Sequence, residues 1–274
     1  MYEERPSRVD GAVVWAHVGE SVGEGRVLPD GCMDLLMWDG ALVVAGPDTR
    51  AHLFGRRAGA GITGLRLPPG AGPLVLGVPA HALRDQRVPL GGLWPERAVR
   101  LLEERVAAAP DAGHALESIA LEAAAGGGPA PGGAHRPLPP GTAMHTAARL
   151  LARGRGVAEV ASAVGLSERQ LRRRSLDAFG YGPKTLARVL RLQRALRLAA
   201  GGMPPAGVAV AAGYADQAHL SREVRALAGV PLTRLTAGDG AADRDDGTDR
   251  DGRTDQDSGA NRSTPLPSGS ATTA

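Results

Sequence analysis

The chain has 274 residues, enough for two domains and a tail at roughly 100–200 residues per domain. Apolar residues make up 43% and aromatics only 3%, so any core must be built mainly from Ala, Val and Leu. The one cysteine, Cys32, excludes an internal disulfide and a multi-cysteine metal site, and it fits a reducing compartment. The N-terminal MYEERPSRVDG is charged without an apolar h-region, and no run of about 18 apolar residues occurs, so neither a secretory signal nor a membrane span is expected. A cytoplasmic, nucleoid-associated protein is the expectation.

The net charge of +3 is unevenly spread. Residues 142–236 carry 15 Lys and Arg against 5 Asp and Glu, a surplus of +10. Residues 1–141 carry 13 against 16 (−3), and residues 237–274 carry 4 against 8 (−4). A basic module beside acidic ones is the footprint of a polyanion binder, although a merely soluble basic surface would look the same on charge alone.

Residues 9–78 read as β-rich. Apolar runs at Ala12–Val18, Met33–Trp38, Ala41–Ala45, Ile62–Leu67 and Leu74–Val78 are punctuated by Gly and Pro. Asp39-Gly40 separates two runs by two residues, which predicts a hairpin whose turn positions need positive φ. A small sheet or barrel is expected. From about Pro95 to Ala125 the pattern becomes helical: ERAVRLLEERVAAA spaces Val99, Leu102 and Val106 by three and four, and HALESIALEAAA continues as a further helix.

The fold class expected is therefore α+β: a β-rich N-terminal module with following helices (1–125), then an all-α domain (142–236). GGGPAPGGAHRPLPPG at 126–141 reads as a Gly/Pro linker, and the Asp/Gly/Thr/Ser-rich 237–274 as a disordered tail.

The basic segment is the most informative. Thr146–Arg153 predicts a short helix. Val157–Val164 follows with Val157, Val160, Ala161 and Val164 on one face, then Gly165-Leu166-Ser167, then ERQLRRRSLDAF. Gly165 suits a left-handed C-terminal position and Ser167 an N-cap, so the segment reads as helix, short turn, helix. On the second helix Leu171, Ser175, Ala178 and Phe179 share a core face. Arg169, Arg172 and Arg173 project from the N-terminal half, where a recognition helix meets base edges. An Arg fork can donate to both O6 and N7 of guanine, although three solvated arginines would give the same pattern.

About 49 residues further on the arrangement recurs. Pro205–Ala212 predicts a helix, Gly213-Tyr214-Ala215 a turn, Asp216 an N-cap and QAHLSREVRALAG a second helix. Aligning Ser167 with Asp216 also aligns Leu171 with Leu220, Arg173 with Arg222 and Gly180 with Gly229. Between them PKTLARVLRLQRALRLAA predicts a linker helix from Pro183 to Ala200, with Pro in the first turn and a length of roughly 26 Å. It could hold two reading helices near the ~34 Å separation of successive major-groove segments. Arg188, Arg191, Arg194 and Arg197 drift around this helix, so only some can face phosphate.

GLSERQLRRRSLDAFGYGPKTLARVLRLQRALRLA, followed by VAVAAGYADQAHLSREVRALAGVPLTRL, closely resembles the DNA-binding domain of AraC/XylS-type transcription regulators. The likeness covers about 95 residues. It includes the Gly-x-Gly-Pro run into the linker helix, Arg-Leu-x-x-Ala, and Gly-Tyr-x-Asp-x-x-x-Leu-x-Arg in the second unit. The resemblance implies base contacts from Arg169, Arg172 and Arg173, and from Gln217, Ala218, Ser221 and Arg222, on double-stranded operator or promoter DNA. Ala218 offers only a contact to a thymine methyl. Ser175 stands where the family has a large apolar residue, and Leu220 and Val224 replace an aromatic pair, which predicts a looser core.

LPDGCMDLLMWDGALVVAGPDTRA, GITGLRLPPGAG and VPAHALRD are similar to the N-terminal domain of a poorly characterised group of AraC-type regulators. That similarity implies a sensory or regulatory module, with room for an unidentified small-molecule effector and a homodimer. Catalysis is not expected. Cys32 reads as a small packing residue, His17, His52 and His81 are scattered, and Asp30, Asp34 and Asp48 read as turn residues. No cofactor is implied. A nonspecific architectural DNA binder, or a DNA reader fused to a small enzymatic module, remains the alternative.

Overall fold

In the N-terminal half, apolar alternation along the chain becomes two faces of one antiparallel sheet. The computed structural model describes residues 2–19, 23–56, 61–126 and 143–236. Its strands are β1 (Tyr2–Pro6), β2 (Val13–Val18), β3 (Gly23–Val27), β4 (Met33–Trp38), β5 (Ala41–Ala45), β6 (His52–Arg56), β7 (Gly61–Leu67) and β8 (Arg87–Pro89). Six of them order as β1-β2-β7-β4-β5-β8, while β3 and β6 pair as a separate ribbon.

The register lines up Val14, Leu65, Leu35, Val44 and Val88 in one row across five strands. The next row, Trp15, Gly64, Leu36 and Val43, faces the other side. Slipping any strand by one residue would exchange the faces, so the pattern fixes the register. Gly64 is needed in that second row because a Cβ there would run into the Trp15 indole. Asp39 (φ 48°) and Gly40 (φ 80°) make the expected tight turn between β4 and β5.

One face of the sheet is roofed by α1 (Gly72–Leu76), α2 (Glu96–Ala108) and α3 (Ala112–Ala124). From α3, Leu116, Ile119 and Ala120 meet Leu35, Leu65 and Leu67 in a single core. Each fully buried Leu or Ile contributes about 1.5–3 kcal/mol. Leu74–Val78, expected as a strand, is largely α1. Pro73 in its first turn and a left-handed Gly77 at its end are helix punctuation, which a five-residue apolar run does not distinguish from a strand. Glu117 on α3 is wholly buried and accepts from Arg5 Nη1 (3.1 Å), Arg8 N (2.8 Å) and Arg8 Nε (3.2 Å), tying the β1–β2 turn to the roof.

The C-terminal half is helical: α4 (Ala143–Ala152), α5 (Val157–Ala163), α6 (Glu168–Phe179), α7 (Pro183–Ala200), α8 (Pro205–Ala212), α9 (Gln217–Ala228) and α10 (Leu232–Thr236). α4 begins three residues earlier than expected. The expected linker lies, apart from Gly126, outside the described residues, and so does the expected tail from 237 onwards. None of the described helices is long and apolar enough to cross a membrane.

Candidate nucleic-acid interface

Two cores sit at the two ends of α7. The first gathers Met144, Ala147 and Leu151 of α4, Val160 of α5, Leu171 and Phe179 of α6, and Leu186 and Val189 of α7. The second gathers Leu192 and Ala195 of α7, Val208 of α8, and Leu220, Val224 and Leu227 of α9. Leu220 and Val224, taken as smaller replacements for an aromatic pair, are still completely enclosed. Ser175 is also fully buried, and its hydroxyl finds no partner among the described residues.

The helix starts are set by side chains. Ser167 caps α6 in a reciprocal capping box with Gln170, and Gly165 ahead of it is left-handed at φ 67°. Asp216 caps α9 by accepting from His219 N at 2.6 Å, and its C-cap Gly229 is left-handed as Gly180 is in α6. The two units are thus repeats in geometry as well as in sequence.

All six predicted readers are placed alike. Arg169, Arg172 and Arg173 lie in the first half of α6, and Gln217, Ser221 and Arg222 in the first half of α9. All are exposed, as is Ala218, and none of the six side chains has a hydrogen bond or ion pair with a described residue. Their donors are free for an outside partner. Behind them, α9 is braced against α7. Arg188 Nε donates to Glu223 Oε2 at 2.8 Å, and Nη2 to Oε1 at 3.1 Å. The Arg191 guanidinium lies 5.3 Å from the centre of the Tyr214 ring. The Arg188 hydrogen bond holds the Glu223 carboxyl below its usual range, and burial pushes the Tyr214 hydroxyl up to about 12.

Sequence reasoning did not foresee how the N-terminal module meets these helices. At the C-terminal end of α9, Arg26 Nη1 donates to the Ala228 carbonyl (2.7 Å) and the Ala51 amide donates to the Leu227 carbonyl (2.6 Å). At the C-terminal end of α6, Arg84 Nη1 reaches the Gly180 carbonyl (3.5 Å), and His81 Nδ1 lies 3.3 Å from Asp177. Gly180 is left-handed (φ 81°), and a Cβ there would collide with Pro47. Gln193 Nε2 of α7 donates to the Pro29 carbonyl at 2.7 Å. The acceptors are mostly backbone carbonyls, which carry no sequence motif.

Tyr181, just beyond α6, is buried beside Gly31 with its hydroxyl unpartnered. Near it lies a half-buried acid–base cluster. Arg66 Nε is 3.5 Å from Asp30 and 3.7 Å from Asp34, Trp15 Nε1 donates to Asp34 (2.8 Å), and the Cys32 amide donates to Asp30 (2.8 Å). Burial, then the neighbouring Asp30, pushes Asp34 up to about 7. Burial, with Asp30 and Asp34, also pushes the Cys32 thiol well above its usual range, which suits a packing residue and not a thiolate. Of the three aspartates expected in turns, Asp30 does make one by accepting from the Cys32 amide, while also facing Arg66. Asp34 lies inside β4, and Asp48 is held in a bidentate pair with Arg87 at 2.7 and 2.6 Å.

Two capped helix-turn-helix units on a shared helix define a DNA-reading domain. Residues 160–237 match the family model described as a helix-turn-helix domain. Residues 12–89 match that of a domain of unknown function, DUF6597. Residues 160–237 thus form a helix-turn-helix domain of AraC type, the DNA-binding domain of transcription regulators. Solved structures that align with it include wild-type ToxT of Vibrio cholerae with bound unsaturated fatty acid (12% identity, 89% of this chain and 100% of that chain, TM-score 0.45). An apo variant of ToxT from the same organism aligns at 12% identity over 85% and 99% of the two chains, with a TM-score of 0.44. No curated protein matches the sequence.

Proposed function

We propose that the chain recognises a specific operator by laying α6 and α9 in two adjacent major-groove segments, and that the N-terminal module controls how the two helices are presented. Arg169, Arg172 and Arg173 read the first segment, and Gln217, Ser221 and Arg222 the second. The observation that carries this reading is the paired set of exposed, unpartnered side chains at matched positions of two capped helices. Phosphate contacts supply salt-dependent affinity, while base-edge contacts supply choice of sequence.

Support for control by the N-terminal module comes from where it holds the DNA-binding half. Arg84 touches the C-terminal end of α6, and Arg26 and Ala51 that of α9, opposite the ends that carry the readers. A small molecule or a second subunit acting on the module would move the two readers relative to each other. The test is selection of genomic fragments with excess competitor DNA at near-physiological salt, followed by footprinting. One motif with two protected major-groove segments about a helical turn apart is the expected result. Uniform recovery of all fragments, lost together as salt rises, would reduce the protein to a nonspecific phosphate binder.

A further inference from the structure

The Arg residues of α7 that the sequence left scattered are sorted by the fold. At about 100° per residue, Leu186 and Gln193 fall on one side of α7. That side meets the N-terminal module, through Gly31 and the Pro29 carbonyl. Lys184, Arg188 and Arg191 fall on the opposite side, and Arg194 about a quarter-turn from it. All four line an open cleft of about 590 Å³. One rim is the α4–α5 loop with Arg153 and Arg155, and the other is the end of α8 and the turn that leads into α9. The cleft therefore lies between the two helix-turn-helix units and faces away from the N-terminal module.

Its charges divide into two sets. Arg188 is neutralised by Glu223, Arg155 by Glu159 at 2.9 Å, and Arg191 is laid over Tyr214. Arg153, Lys184 and Arg194 are exposed and have no hydrogen bond or ion pair with a described residue. Three cations with no described partner, over a floor braced by the Arg188–Glu223 and Arg191–Tyr214 contacts, suit an anion longer than any one side chain can reach. Between two major-groove segments on one face of a duplex lies the intervening minor groove, flanked by the phosphates of both strands.

We infer that this cleft is a phosphate clamp for the DNA backbone between the two segments read by α6 and α9, with Arg153, Lys184 and Arg194 as its contacts. The inference rests on the two-segment reading above. The clamp grips every duplex equally and sets affinity, leaving choice of sequence to the readers.

The test compares full-length protein with the variant Arg153→Gln/Lys184→Gln/Arg194→Gln on an operator duplex and on a scrambled duplex, by fluorescence anisotropy across a salt series. Each phosphate contact contributes about 0.9 to the slope of log affinity against log salt. The triple variant is expected to lose between about two and three of that slope, to bind both duplexes more weakly by one common factor, and to select an unchanged motif. Arg97→Gln/Arg100→Gln, on exposed positions of α2, should leave the slope alone. If the triple variant melts early, the single variants Lys184→Gln and Arg194→Gln decide, each with an expected loss of about one. An unchanged slope overturns the clamp, and so does a loss confined to the operator with an altered motif. Failure of the two-segment reading is separate: wild-type protein would select no motif, whatever the cleft variants do to the slope.

Discussion

The hold of the N-terminal module on α9 can be loosened at one atom pair. Arg26 Nη1 donates to the Ala228 carbonyl at 2.7 Å, where the last turn of α9 carries part of the negative end of the helix dipole. A hydrogen bond from a charged donor contributes about 1.5–3 kcal/mol. A quarter of the Arg26 side chain stays in water, so the lower end, about 1.5 kcal/mol, is the appropriate figure. Arg26→Ala should then shift the equilibrium between held and released α9 about tenfold, since 1.4 kcal/mol is a factor of ten. The neighbouring bond from the Ala51 amide to the Leu227 carbonyl is the natural reporter, because it exists only while α9 is held. Hydrogen exchange at Ala51 should speed up about tenfold. Affinity for a two-segment operator should fall by no more than that factor, and affinity for DNA carrying only the α6 segment should not change. α9 itself should stay folded on Leu220, Val224 and Leu227. Unchanged exchange at Ala51 together with unchanged operator affinity would refute the argument that the module presents the second reader.

Arg173→Ala should cost about 1–3 kcal/mol at one base position and relax preference there, read by comparing selected motifs; an identical motif removes Arg173 from the readers. Ser175→Ala removes a buried hydroxyl that has no partner, so it should leave stability unchanged or raise it by about 1 kcal/mol, read as an unchanged or higher Tm. Glu117→Gln should destabilise the N-terminal module by about 1–3 kcal/mol, because Arg5 and Arg8 lose a buried carboxylate, read by denaturant titration. Asp34, pushed up to about 7 by burial and then by Asp30, holds a proton in the folded state that the unfolded chain has released above roughly pH 4. Stability should therefore fall as pH rises from about 4 to 7, and Asp34→Asn should flatten that slope in melts taken across the range.

What the sequence made legible follows from where a local signal exists. β2, β4, β5 and β7 announce themselves because their apolar residues alternate into two buried rows. β1 (YEERP), β3 (GEGRV) and β6 (HLFGR) lie on the sheet edge or in the two-stranded ribbon, with polar residues or glycine through much of their length, so no period of two survives to be read. β8 is three residues long and ends in Pro89, which an edge position tolerates. The helix-turn-helix units were the most legible part, since Ser167, Gly180, Asp216 and Gly229 are punctuation whose meaning is local.

Neither the module's grip nor the cleft has such punctuation. Arg26, Arg84 and the Ala51 amide bond to backbone carbonyls of helix ends, and any residue offers the same carbonyl. Arg153 and Arg155 sit in a loop about thirty residues before Lys184, and only the packing of α4 and α5 on α7 brings them to one wall. The surplus of positive charge in residues 142–236 was visible from composition, but composition cannot separate arginines already neutralised from those still free. Arg188, with Glu223 at 2.8 Å, and Arg194, with no described partner, are indistinguishable in the run PKTLARVLRLQRALRLAA. On the proposed reading the same surplus divides into braces, readers and backbone contacts, and mutation tells them apart: loss of a brace changes how α9 is held, loss of a reader changes the motif, and loss of a backbone contact weakens every duplex alike and lowers the dependence on salt.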